Sequence, residues 1–380
     1  MSLVEGVLTD RMLAFGVFFK YYKTNNKIYK YNKYNKKENN IIWFRQVCKQ
    51  FNIFILDYIS TITYLDLEYN QLGPDGAFSF AHSLARMPNL TQINLSYNDI
   101  GYGGLRLLGS VLANDLKLTS KLTSLNLESN RLVMIEGAQI LKPILQMMPN
   151  LTSLNLSQNL IAEHIKLLAP GLSMMTNLTY LNFREMCISD DGMVSFAPSL
   201  AKLTKLTFLD LTRNVLRADG IKLLAPSLGN LTNLTSLEIG GNNFKSDGAR
   251  ALAPSLFLLT KLTHLDLSSN DIRVADAQLL EPSLSQLTQL TSLNLGQNNL
   301  EDDGLMSLYP SLCIMTNLTS LDISHNHIGV DGIISFFPIL DMMTNIKSLS
   351  FKRNIFGADI DVLSVDHYRQ LIDMLTNFEF

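Results

Sequence analysis

A fixed internal period constrains this chain more than any other feature. From Ile62 one pattern returns eleven times: Leu90-Thr91-Gln92-Ile93-Asn94-Leu95-Ser96-Tyr97-Asn98 has counterparts beginning at Leu122, Leu151, Leu178, Leu206, Leu234, Leu262, Leu290, Leu318 and Ile346. The spacing is 28 residues at every step from Leu178 onward and runs 28, 32, 29 and 27 before it. Units of this size bury their apolar faces only against their neighbours, so the period predicts a solenoid. It replaces the two or three ordinary domains that 380 residues could otherwise make.

Each unit divides by its own smaller period. Apolar residues two apart, such as Leu237 and Ile239, mark a short strand with one buried face. An asparagine follows in ten units, from Asn70, Asn98, Asn130 and Asn159 through Asn214, Asn242, Asn270, Asn298 and Asn326 to Asn354, and Met186 alone interrupts the row. A side-chain amide in a buried turn can satisfy backbone groups, which gives this row a structural task. The second half of each unit reads as a helix, with Asp75, Asp191, Asp219, Asp247, Asp303 and Asp331 as acidic N-caps before glycine. Proline recurs about two turns later at Pro143, Pro170, Pro198, Pro226, Pro254, Pro282, Pro310 and Pro338, which predicts a kink or restart in each helix.

These motifs resemble the leucine-rich repeat family, in particular its ribonuclease-inhibitor-like class, over residues 62 to about 375. Met186 departs from the family's asparagine, and Ile165, Ala277 and Ile360 from its glycine. The resemblance implies an α/β horseshoe solenoid with a parallel sheet on the concave face and kinked helices on the convex face. Eleven strands at ~4.8 Å would line an arc of roughly 50 Å, enough to hold a folded protein. The resemblance implies a non-enzymatic scaffold that binds a protein partner on its concave face.

Inward-facing strand positions carry no packing duty, so departures from the chain's own consensus there are the candidate site. Most units have Ser or Thr at the third motif position, whereas Tyr180 and Phe208 fill it in adjacent repeats, with Arg184, Glu185 and Arg213 beside them. Aromatic and arginine side chains are the usual anchors of protein interfaces. The alternative is that the two rings stack on each other to cover the irregular Met186 repeat. Tyr64, Asp66, Glu68, Tyr69 and Tyr97 form a second, acidic cluster suited to a basic partner, and His264, His325, His327, Lys352 and Arg353 a third. His325 and His327 read as a solvated turn, and no metal site is expected. Asp210, Asp266 and Asp322 stand in alternate repeats, too far apart for paired carboxylate chemistry. Phe257, Phe336 and Phe337 are candidates for exposure on the convex side.

No phosphate-binding loop, zinc-protease helix or nucleophile elbow is present, so neither an enzyme nor a cofactor is expected. Ribonuclease inhibition is disfavoured, because the chain has three cysteines and its single tryptophan, Trp43, precedes the repeats. The cysteines are far apart and suit a reducing, cytoplasmic setting. No run approaches the ~20 apolar residues of a membrane span. The net charge of −3 argues against specific nucleic-acid binding. It conceals a split: ten Lys or Arg and four acids up to Asp57 make +6, leaving −9 for the rest.

The organisation that follows is residues 1–58 as an N-terminal cap and 59–380 as eleven repeats with a C-terminal cap. Residues 20–40 are a Lys, Asn and Tyr run without hydrophobic periodicity, read as a flexible insertion. Val47-Cys48-Lys49-Gln50-Phe51 resembles the last helix of an F-box, with residues 7–13 as its opening helix and Thr9 where that family has proline. That resemblance implies Skp1 as a partner through Leu8, Leu13, Trp43 and Val47, in a substrate receptor of a cullin ubiquitin ligase. The same scaffold could also serve as a bacterial effector in a host-cell cytoplasm. A terminal cap over repeat one remains the plainer reading of the same residues.

Overall fold

The computed structural model describes residues 61–84, 87–114 and 116–355. Within them eleven three-residue strands, from β1 (Tyr64–Asp66) to β11 (Ser348–Ser350), make one parallel sheet in sequence order. Each strand begins two residues into its repeat, and each pairs in register with the next, as in Tyr180 with Phe208 and Phe208 with Ser236. The middle residue of every strand is buried in a single continuous core, together with Leu211, Leu216, Ile221, Leu224, Leu228 and Leu231 in a representative unit. The flanking strand positions, third and fifth in the motif, therefore share the opposite face.

Helices occupy the second halves of the repeats: α1 Gly73–Leu84, α2 Gly101–Asn114, α3 Leu116–Thr119, α4 Met134–Gln146, α5 Ile165–Leu172, α6 Asp190–Leu200, α7 Ala218–Leu228, α8 Lys245–Leu256, α9 Val274–Leu284, α10 Glu301–Ser307, α11 Tyr309–Ile314 and α12 Val330–Met342. The expected restart at proline occurs only at Pro310, in the first turn of α11, just after α10 ends at Ser307. Pro143, Pro170, Pro198, Pro226, Pro254, Pro282 and Pro338 instead lie inside unbroken helices. Every one of these prolines is exposed, and so is the residue four before it, such as Lys222 before Pro226. The carbonyl that loses its donor therefore faces solvent, which lowers the cost of the missing bond.

The acidic residues do not cap their own helices either. Asp219 sits within the first turn of α7, and the cap comes from the preceding repeat: Asp190 accepts from the backbone N–H groups of Arg217 and Gly220, each at 2.9 Å. Asp302 takes the N–H of Gly329 in the same way. A Cβ on Gly220 or Gly332 would collide with those carboxylates, which explains the glycine in these two units. In the repeat of α9 the glycine's place belongs to Asp276, one residue before Ala277, and its own carboxylate accepts from Arg273 N–H at 2.9 Å. There the preceding repeat supplies Ser246, whose hydroxyl bonds Asp276 at 2.8 Å.

Two polar ladders bind the repeats to each other. Each threonine at the second motif position donates its hydroxyl to the carbonyl of the threonine before it, as Thr235 to Thr207 and Thr263 to Thr235. The turn asparagines form the buried ladder. The amide of Asn242 donates to Leu211 O at 3.0 Å and Ile239 O at 2.9 Å, while its oxygen accepts from Leu216 N at 3.3 Å. Met186 interrupts this second ladder. It cannot accept the N–H of Ile161, which instead bonds Asn159 O at 2.9 Å and leads into a 3₁₀ turn at Ala162–His164 before α5. Met186 itself is fully buried.

Residues 1–60 and 356–380 lie outside the described residues, and with them the cap, the insertion, Leu8, Leu13, Trp43, Val47 and Ile360. Phe257 is exposed, but Phe336 is buried against Phe351, edge to face with centroids 5.5 Å apart. No helix among the described residues is long and apolar enough to cross a membrane.

Candidate functional site

The concave face is built from four motif positions repeated along the sheet, and the last of them is held in an unusual conformation. The residue before each turn asparagine, or before Met186, has positive φ in all eleven repeats, and only Gly241 among them is a glycine. Tyr69, Tyr97, Glu185, Arg213, His325 and Arg353 all sit there, with φ between 52° and 57°. A non-glycine residue in this region costs roughly 1–3 kcal/mol unless its surroundings impose it. In the first ten repeats the next repeat imposes it, because each of these N–H groups reaches a carbonyl one unit on, as Glu185 to Thr212 and Arg213 to Gly240. The candidate side chains thus stand on a fixed backbone at the rim of the sheet.

The expected central group is assembled. Tyr180 on β5 (Tyr180–Asn182) and Phe208 on β6 (Phe208–Asp210) stack with centroids 4.4 Å apart and planes 8° from parallel, and both remain half-buried. The stack anticipated as the plainer alternative is present, and both rings keep part of their surface exposed on the concave side. Beside it Arg184 Nε and Arg213 Nη1 each donate to the same Glu185 Oε1 at 3.2 Å. One carboxylate thus holds two guanidiniums, and most donors of the well-exposed Arg213 stay free for a partner. Burial foremost pushes the Tyr180 hydroxyl above its ordinary range.

At the N-terminal end Tyr69 and Tyr97 also stack, at 4.2 Å and 11°. Tyr97 OH donates to Glu128 Oε1 at 2.9 Å, and Glu128 further accepts from Asn155 at 3.0 Å and Gln158 at 3.3 Å. Burial and this bond raise the Tyr97 pKa strongly. Tyr64 is 44% exposed, its pKa raised by partial burial and by Asp66. The cluster therefore extends to Glu128 and Gln158, which a comparison of seventh and eighth motif positions would have found. At the other end His264 stands alone on β8 (His264–Asp266), with Nδ1 2.9 Å from Thr263 Oγ1. His325, Lys352 and Arg353 instead line an open cavity of about 440 Å³ with Asp322, Ser320 and Ser350. Among the described residues no three His, Cys, Asp or Glu side chains are grouped to hold a metal ion.

The carboxylate row needs a correction. Asp210 and Asp266 are not isolated in alternate repeats, because Glu238 on β7 (Ser236–Glu238) is paired between them, opposite Asp210 on one side and Asp266 on the other. Three acids thus stand on consecutive strands at ~4.8 Å spacing. Asp210 is nearly buried, and desolvation raises its pKa and that of Glu238, against partial relief from their hydroxyl partners and Arg184.

Eight segments of the chain, residues 58–81, 86–109, 175–197, 202–225, 230–253, 259–280, 286–308 and 315–337, match the Leucine Rich repeat family model. They leave out 110–174, where the irregular repeats lie. No curated protein matches the sequence. Among solved structures, an internalin, inlF, of Listeria monocytogenes aligns at 21% identity over 80% of this chain and 85% of its own, with a TM-score of 0.44. A leucine-rich-repeat protein of Leptospira interrogans aligns at 19% over 80% and 82%, TM-score 0.46. The Arabidopsis receptor kinase HAESA, in complex with the peptide hormone IDA and the co-receptor SERK1, aligns at 21% over 70% and 43%, TM-score 0.43.

Proposed function

Because the chain is a leucine-rich-repeat solenoid, we propose that it is a non-enzymatic scaffold that holds a protein partner against the concave sheet, anchored at Tyr180, Phe208, Arg184 and Arg213. The observation that carries this reading is the half-exposed aromatic stack on strands β5 and β6, flanked by guanidiniums fixed on one glutamate. Two aromatic side chains already held by stacking lose little rotamer entropy on binding, and arginine adds directional donors, the combination that dominates interface energies. The 28-residue period and the helix in most units support assignment to the ribonuclease-inhibitor-like class. Affinity purification of the intact chain with mass spectrometry identifies the partner, and the Tyr180→Ala, Phe208→Ala double variant tests the anchor. Recovery of the partner should fall at least about tenfold, the loss of one modest hot spot. Undiminished recovery by a folded variant rejects the anchor.

A second reading draws on Val47-Cys48-Lys49-Gln50-Phe51 just before the first repeat. In it Leu8, Leu13, Trp43 and Val47 bind Skp1, and the concave face selects the ligase's substrate, in the source cell or, for a delivered bacterial effector, in a host cytoplasm. Mixing the full chain with Skp1 decides it: no co-elution removes the ubiquitin-ligase role and leaves the scaffold untouched.

A further inference from the structure

If the Tyr180–Phe208 stack is the anchor, the surface beside it sets the chemistry of what docks. The fifth motif position has a structural task that needs no charge. Asn94, Asn126, Asn155, Asn182 and Asn294 each use a side-chain oxygen to accept the N–H two residues on, at 3.0 or 3.1 Å. Asp210 and Asp266 make that same bond at 2.8 Å. Glu238 turns instead to the Ser236 hydroxyl at 2.8 Å. An amide would serve at Asp210 and Asp266, yet three consecutive strands carry carboxylates on this uncovered sheet face, where like charges directly opposite destabilise the pairing. No lysine or arginine among the described residues forms an ion pair with any of the three, and Arg184, whose charge partly relieves Asp210 and Glu238, is engaged by Glu185. Negative charge that the fold does not require, set next to an apolar ring pair, is complementary to a cation carried beside an apolar group.

We propose that the concave face over β5 to β8 docks a protein segment presenting a lysine or arginine next to an apolar side chain, with the apolar group on the Tyr180–Phe208 stack and the cation among Asp210, Glu238 and Asp266. This rests on the protein-binding reading above and specifies its partner. The cation relieves repulsion along the row, and its aliphatic stem covers the gap between the rings and the acids. Desolvation already holds Asp210 and Glu238 above the ordinary carboxylate range, so their charge is costly until a partner's cation arrives.

The test selects peptides from a random phage-displayed library on the full chain and then measures the best synthetic peptide against three proteins: wild type, Asp210→Asn with Glu238→Gln and Asp266→Asn, and Tyr180→Ala with Phe208→Ala. The charge variant keeps the fold, since asparagine does the same backbone task at five neighbouring positions, and its melting temperature verifies this. Selected peptides should carry Lys or Arg beside an apolar residue and bind the charge variant about tenfold more weakly. Replacing the peptide cation with norleucine should weaken wild-type binding equally and the charge variant no further. Neutral or acidic consensus peptides, or equal binding to the charge variant, overturn the proposal. If binding then still falls for the ring variant, the anchor stands and only the cation assignment fails. If neither variant matters, or no peptide rises above background, both fail. Displacement by spermidine as effective as by the peptide shows a bare cation site and also rejects docking.

Discussion

The turn of Asn242 and the turn of Met186 have similar outlines with different wiring. At Asn242 one amide closes bonds to its own repeat and the one before, and its oxygen serves the turn of Leu216. At Met186 a buried thioether fills the same place, and the N–H that lost its acceptor, on Ile161, turns back to Asn159 O. The difference teaches that the solenoid tolerates a missing rung when the repeat before it can rewind, here through the 3₁₀ turn at Ala162–His164. It also locates the unusual side chains: Tyr180, Arg184, Glu185 and, one strand on, Phe208 and Arg213 gather around the broken rung, while the regular units present mostly small polar groups.

The largest expected effect separates these two turns directly. Asn242→Ala leaves Leu216 N–H without its acceptor and takes one of two amide donors from each of the Leu211 and Ile239 carbonyls, which keep Asn214 and Asn270. With about 1–3 kcal/mol for the unsatisfied N–H and the two further bonds lost, a loss of roughly 2–4 kcal/mol is expected in urea denaturation. Met186→Asn meets an Ile161 N–H that already bonds Asn159 O, and should change stability by less than about 1 kcal/mol. Comparable and opposite changes would mean that Ile161 is not satisfied by its local bond.

The next effect sets the inter-repeat cap against the self-contained one. Alanine for glycine in a helix usually stabilises by about 0.5–1 kcal/mol. Gly220→Ala should instead cost about 1–3 kcal/mol, because the new methyl displaces the Asp190 carboxylate from the start of α7. On an Asp190→Ala background the same change should lose most of its cost. Thermal melts of the four proteins give the coupling, and simple additivity would dissolve the explanation of this glycine.

The period made sheet order, strand positions, core leucines and the central aromatic group legible, since each follows from counting residues within a repeat. What it hid were relations between repeats. Asp219 looks like a cap because it precedes a glycine, but the capping oxygen belongs to Asp190, in the repeat before. Reading only aspartates skipped Glu238, which register inserts between Asp210 and Asp266. The prolines mislead in another way: a broken helical bond is expensive only where its carbonyl is buried, and here the residues four before each proline are exposed. Phe336 lies one residue from Phe337 on α12, and only packing shows that it faces Phe351.

A smaller effect tests whether the break is confined to the asparagine ladder. The threonine ladder passes through the irregular region without interruption, with Thr179 bonding Thr152 O at 3.0 Å just as Thr235 bonds Thr207 O at 3.0 Å. Thr179→Val and Thr235→Val should therefore cost the same, about 0.5–1.5 kcal/mol each by chemical denaturation. A markedly larger loss at Thr179 would show that the Met186 region leans on its threonines more heavily.

The smallest effect concerns the carboxylates next to the aromatic stack, and its sign is opposite to the others. Burial raises the folded-state pKa of Asp210 and Glu238 above their reference values of 3.8 and 4.5. The folded chain therefore binds protons more readily than the unfolded one, and these groups lower stability as pH rises from the reference values through the raised ones. Asp210→Asn with Glu238→Gln should then be more stable than wild type at neutral pH, by about 0.2–1 kcal/mol for the opposed pair. The gain should shrink towards zero as pH falls below the reference values, where both carboxyls are neutral in either state. Melting curves across that range measure it. A gain that grows on acidification would mean that these acids are held by a favourable charge in the fold, and would remove the reason to seek their cation on a partner.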